Sequence, residues 1–161
     1  VIWRPLHEAS GAWFWWGAKG SDAYKELWKI MFDTFKAKGI NNLIWVWTTQ
    51  TGDDSWYPGD AYVDIIGRDI YNDYDTKNLF NNEYWVIRKQ YQNKIVALSE
   101  CGSVSNISEQ WNGLSKWSWF MPWYGKNDSG ENHGSDDFWK EALDNKDFDK
   151  IITRDKVPDL K

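Results

Sequence analysis

Glu8 and Glu100 each stand where a short apolar run gives way to a loop. The first closes Val1-Ile2-Trp3-Arg4-Pro5-Leu6-His7-Glu8 and is followed by Gly11-Ala12-Trp13-Phe14-Trp15-Trp16-Gly17. The second closes Ile95-Val96-Ala97-Leu98-Ser99-Glu100 and is followed by Cys101-Gly102. Two strand-end carboxyl groups walled by tryptophans suit glycoside hydrolysis, which needs one acid beside the leaving oxygen and a nucleophile or base beneath the sugar ring. Each residue alone says less. A lone strand-end glutamate is usually a solvated loop acid, and a histidine such as His7 is more often a hydrogen-bonded structural residue than a catalyst.

The aromatic content adds weight to the pair. The 161 residues include 14 Trp, 8 Tyr and 7 Phe, more than hydrophobic burial explains, because indole is large and carries an N–H that needs a partner. Its flat face fits the C–H face of a pyranose while the N–H bonds a hydroxyl. Trp28, Trp85 and Trp139 fall on helical segments and read as core or surface filler. The run Trp13-Phe14-Trp15-Trp16, flanked by glycines, cannot turn all its rings towards one core.

Strand-like and helix-like segments alternate to carry these residues. Short apolar runs bounded by turn residues predict strands at 1–6, 42–47, 63–69, 94–98 and 116–121. Between the first two, Tyr24, Leu27, Trp28, Met31, Phe32 and Phe35 recur at helical spacing, with Ser21 or Asp22 as cap and Gly39 as stop. A second helix is predicted over 78–91 with Leu79, Trp85, Val86 and Tyr91 as its apolar stripe, and shorter ones near 108–114 and 135–143. Continuous apolar strands covered by helices imply a parallel sheet of βα repeats, buried on both faces. The loops after Glu8, Trp47, Tyr71 and Trp123 then emerge at one end of the sheet, where ligands bind. No repeat, linker or low-complexity stretch divides the chain, so one domain is expected over residues 1–161.

Further along lie Trp56-Tyr57-Pro58-Gly59-Asp60, then Tyr62-Val63-Asp64-Ile65-Ile66-Gly67-Arg68-Asp69-Ile70-Tyr71, Glu100-Cys101-Gly102, and Trp119-Phe120-Met121-Pro122-Trp123. Together with Arg4-Pro5-Leu6-His7-Glu8, this ordered set resembles glycoside hydrolase family 26, the β-mannanase family of the (β/α)8 clan, over nearly the whole chain. The resemblance implies that Glu8 is the general acid/base at the end of barrel strand four and Glu100 the nucleophile at the end of strand seven. It further implies that His7 orients the acid side, that Tyr71 hydrogen-bonds the nucleophile, and that Asp69 supports that network or is a buried structural carboxylate. Trp13 resembles a ring on the leaving-group side and Trp123 the platform beneath the sugar at the cleavage point.

What the resemblance implies overall is an endo-acting, retaining β-1,4-mannanase acting on mannan, glucomannan or galactomannan without metal or organic cofactor. Its rivals are a β-glucanase or xylanase on the same scaffold and a carbohydrate-binding protein that has lost catalysis. Retention of both Glu8 and Glu100 speaks against the last, since binding requires neither. The first strand here matches the family's fourth, so the expected fold is strands four to eight of a (β/α)8 TIM barrel, which when complete needs about 250 residues. The missing N-terminal part of the barrel is then an expected partner, and the parent enzyme is expected to be secreted, periplasmic or on the cell surface.

Composition narrows the rest. The net charge of −5 and the absence of a Lys/Arg block argue against nucleic acid as a partner. No apolar run approaches the roughly 20 residues that span a bilayer, so membrane insertion is not expected. The single cysteine, Cys101, forbids an internal disulfide and reads as a small buried hydrophobe. The loop 127–137 is rich in oxygen ligands but lacks the register of a calcium loop, so a solvated acidic loop is favoured. Asp53 and Asp54 read as turn residues or the edge of a subsite, and Asn106 and Asn127 open formal glycosylation sequons.

Overall fold

The computed structural model describes residues 1–71, 76–126, 130, 132–145 and 150–157. Five parallel strands run side by side in chain order: β1 (Ile2–Trp3), β2 (Ile44–Thr49), β3 (Ile65–Ile70), β4 (Ile95–Cys101) and β5 (Phe120–Pro122). The helices α1 (Ser21–Ala37), α2 (Thr76–Gln90), α3 (Ile107–Asn112) and α4 (Asp136–Asp144) fall between or after them. This is part of a (β/α)8 barrel, with β1 and β5 as the outermost strands of the sheet.

Alternation along the strands divides the core into two sides. Trp45 and Trp47 of β2, Ile66 of β3 and Val96 of β4 pack against Tyr24 and Trp28 of α1 and Tyr84 and Ile87 of α2. Val46, Ile65 and Ala97, one residue out of phase, form a separate cluster with Trp119 on the opposite side of the sheet. Both strand faces are therefore apolar, as a parallel sheet requires. Each large side chain fully buried here contributes about 1.5–3 kcal/mol.

Four expectations are corrected. The cap of α1 is Gly20, whose carbonyl accepts from Tyr24 N, and neither Ser21 nor Asp22 caps by side chain. The stripe of α2 is Phe80, Tyr84 and Ile87, continued at helical spacing by Tyr91 just past its end, while Trp85 and Val86 are half exposed. β1 is shorter than 1–6, because Pro5 has no N–H to pair and Leu6 turns into the left-handed region at φ 50°. β5 begins at Phe120, although Ser118 N and Trp119 O already bond to Val96 and Leu98 of β4.

A bulge in β4 decides what the sheet presents at its end. Arg68 lies opposite Leu98 but Asp69 lies opposite Glu100, so Ser99 is one extra residue in β4. With Ala97 on the inner side and Leu98 packed on Phe80 of α2, strict alternation would send Glu100 towards the helices. The inserted residue returns it to the inner side beside Asp69 and leaves Cys101 on the helix side with Ile70, Phe80 and Leu98. Gly67 makes room for the bulge. A Cβ there would meet Ser99 Oγ at 2.5 Å.

Candidate active site

The strand ends open into one cleft of about 620 Å³, whose lining includes His7, Glu8, Trp13, Asp69, Tyr71, Glu100 and Trp123. All the site residues expected from the sequence are thus brought together.

Glu100 is 4 % exposed, and both its carboxylate oxygens are occupied. Tyr71 donates its hydroxyl to Oε2 at 2.7 Å, and Arg4 Nη2 donates to Oε1 in a close ion pair. Burial, with the neighbouring Glu100, pushes the Tyr71 phenol far up, so the hydroxyl keeps its proton and remains a donor. His7 Nε2 lies 3.9 Å from the same Oε1. The ring of His7 thus stands beside Glu100, with the Glu8 charge also acting on it. Burial foremost, then Arg4, lowers the His7 pKa, which favours the neutral imidazole.

Asp69 is 3 % exposed and accepts from Arg4 Nη1 at 3.0 Å and from Ser99 Oγ at 2.6 Å. Burial raises its carboxyl from 3.8 to about 6 against the opposing pull of Arg4 and Ser99. Cys101, next to Glu100, is fully buried, and its thiol is pushed up to about 12 by burial, the state of an inert side chain.

The loop after β1 sets Glu8. Its backbone is left-handed at φ 53°, and Trp13 Nε1 donates to Oε2 at 3.1 Å. Gly11 permits this, since a Cβ there would lie 1.9 Å from the Trp13 ring. The aromatic run splits as its length demands. Phe14 stacks on Trp16 with centroids 4.4 Å apart, and Trp16 Nε1 bonds the His7 carbonyl, while Trp13 and Trp15 are 60 % and 70 % exposed. Trp123, 38 % exposed, stands at the β5 side of the cleft. Asp53 is a turn residue that also joins two loops, accepting from Thr49 Oγ1, Gln50 N and Ser10 Oγ at 2.6, 3.0 and 2.7 Å.

Sequence reasoning missed Arg4. The signal was available, since an arginine in an apolar strand run must be paired once buried. Of the 127–137 loop, Asn127, Asp128, Ser129 and Glu131 lie outside the described residues, so the calcium reading and the second sequon fall there. Among the described residues no helix is long and apolar enough to cross a membrane.

Residues 1–151 match the family model for glycosyl hydrolase family 26. The chain belongs to this family. A mannan endo-1,4-beta-mannosidase of Thermothelomyces thermophilus is 41 % identical over 125 residues, covering 76 % of this chain and 25 % of that protein. The crystal structure of a beta-mannanase from a symbiotic protist of the termite Reticulitermes speratus, complexed with gluco-manno-oligosaccharide, matches with TM-score 0.79 and 46 % identity over 98 % of this chain and 48 % of that one. An endo-beta-mannanase/endo-beta-glucanase of Prevotella bryantii matches with TM-score 0.84 and 42 % identity over 98 % of this chain and 25 % of that one. The family 26 chain described here thus spans between a quarter and a half of these relatives.

Proposed function

We propose that this chain is part of the catalytic domain of an endo-acting, retaining β-1,4-mannanase that cleaves mannan, glucomannan or galactomannan. The observation that carries the reading is the unlike treatment of two carboxyl groups in one cleft. Glu100 is clasped on both oxygens by Arg4 and Tyr71, and Glu8 sits on a strained loop under the Trp13 N–H. The mannanase names of the relatives support the substrate class.

In this mechanism a Glu100 oxygen bonds to the anomeric carbon while the bond from that carbon to the leaving oxygen breaks, and Glu8 gives that oxygen its proton. Glu8 then takes a proton from water, the water oxygen bonds to the anomeric carbon, and Glu100 departs as carboxylate. Two inversions give net retention. Tyr71 and Asp69 hold the nucleophile's surroundings, His7 flanks Glu100, Trp123 stacks under the sugar at the cleavage point, and Trp13 receives the leaving-group side. The open edges of β1 and β5 take up the remaining strands of the barrel, supplied by the N-terminal part of the protein. Because a polysaccharide cannot cross a membrane, the enzyme acts secreted, in the periplasm or at the cell surface.

Reducing-sugar release by the full-length protein from mannan, barley glucan and xylan tests the reading. Preferential release from mannan is expected. Preference for glucan or xylan moves the specificity elsewhere on the same scaffold, and binding without release contradicts an enzyme.

A further inference from the structure

We propose that Arg4 is the positioning residue of the nucleophile, a guanidinium shared between Glu100 and Asp69 that fixes the attacking carboxylate in place. The inference deepens the proposed function and rests on Glu100 being the nucleophile.

The geometry is that of a braced fork. Nη1 is held at 3.0 Å from Asp69 Oδ2 and 3.2 Å from Thr48 Oγ1, and Asp69 is itself held by Ser99. Because the guanidinium is planar and rigid, bracing one nitrogen aims the other, and Nη2 is the one that meets Glu100 Oε1. Tyr71 occupies Oε2, so the carboxylate is pinned from two directions and cannot rotate freely about its terminal torsion. A lysine could supply the charge but not the two fixed directions. Three neighbouring strands contribute to the brace: Thr48 and Asp69 are the last residues but one of β2 and β3, and the bulge of β4 brings Glu100 to the same side.

The charge count gives a second reason for the sharing. With Glu100 ionised, one guanidinium faces two carboxylates. Once Glu100 becomes an ester it carries no charge, and Arg4 with Asp69 remains as a neutral pair, so the covalent intermediate strands no buried cation. Around Glu100 stand Arg4 and His7 from the segment after β1, Asp69 and Tyr71 from the end of β3, and Cys101 on its own strand.

The test is the split between kcat and KM on a mannooligosaccharide for the full-length protein, with Arg4→Gln and Arg4→Lys. Arg4→Gln should lower kcat roughly 10- to 100-fold with little change in KM. Arg4→Lys should leave kcat low, since charge is restored and direction is not. Should Arg4→Gln fail to fold, an Arg4→Lys protein with unimpaired kcat would still overturn the proposal. So would a folded Arg4→Gln with unimpaired kcat. If the unmodified protein hydrolyses no β-glycan at all, it is the underlying enzymatic reading that fails.

Discussion

Asp69 and Glu100 face each other as ladder partners across β3 and β4, although their neighbours Arg68 and Leu98 are paired one residue out of step with them. That slip brings two buried carboxylates to the same side of the sheet, within reach of one arginine. It makes Ser99 a residue without an opposite number, free to bond Asp69. The arrangement around Glu100 thus depends on a backbone irregularity and on the small residue beside it.

Gly67→Ala should therefore impair both folding and turnover. The new methyl group would meet Ser99 Oγ and Cβ at 2.5 and 3.0 Å, both backed by packed strand. A loss of about 1–3 kcal/mol in denaturant unfolding is expected. Activity should fall further than stability, because the displaced Ser99 anchors Asp69. An alanine variant of unchanged midpoint and activity would mean that the bulge has slack.

The elevated carboxyl of Asp69 sets a direction for stability against pH. With its folded value raised from 3.8 to about 6, the folded state binds the proton more tightly than the unfolded. The associated stability is full below pH ~4 and is lost as pH rises through about 6, amounting to about 3 kcal/mol. Asp69→Asn carries no such titration. Its stability relative to the unmodified protein should improve between pH 4 and pH 7, whatever the offset from losing the Arg4 pair, and parallel unfolding curves at the two pH values would contradict this.

Replacing the two glutamates should separate their roles. Glu100→Ala is expected to lose turnover on every substrate, on the order of 10⁴-fold or more. Glu8→Ala should lose roughly 10²- to 10⁴-fold on mannan but retain cleavage of aryl mannosides whose leaving group departs unprotonated. Equal losses on natural and activated substrates would remove Glu8 from the acid's position.

Much of this was legible in the sequence because chemistry and element ends coincide. Glu8, Trp13, Tyr71, Glu100 and Trp123 stand at strand ends or in the loops beyond them, and apolar runs mark all five strands. What escaped depends on contacts that spacing does not encode. The bulge at Ser99 leaves no compositional trace, since serine fits either face of a strand. The α2 stripe was misplaced because Trp85 and Val86 are apolar yet half exposed, whereas Phe80, Tyr84 and Ile87 meet the sheet. The bracing by Arg4 needed the three-strand geometry.

Trp13 and Trp123 keep open faces in the cleft, so substituting either by Ala should lower turnover of polymer while leaving the melting temperature within a few degrees. Trp28→Ala offers the contrast. That ring is fully buried between sheet and α1, and its loss should cost about 3–5 kcal/mol. Comparable melting losses for all three variants would return the cleft rings to a structural role.

The covalent step can be caught directly. A 2-deoxy-2-fluoro-mannosyl fluoride slows both steps by destabilising the cationic transition state, while its good leaving group lets the first step proceed, so the glycosyl-enzyme accumulates. Digestion and mass spectrometry of the inactivated full-length protein should find a single fluorosugar on the peptide that contains Glu100. A label on Glu8, or turnover with inverted product and no adduct, would contradict the assignment of Glu100 as nucleophile.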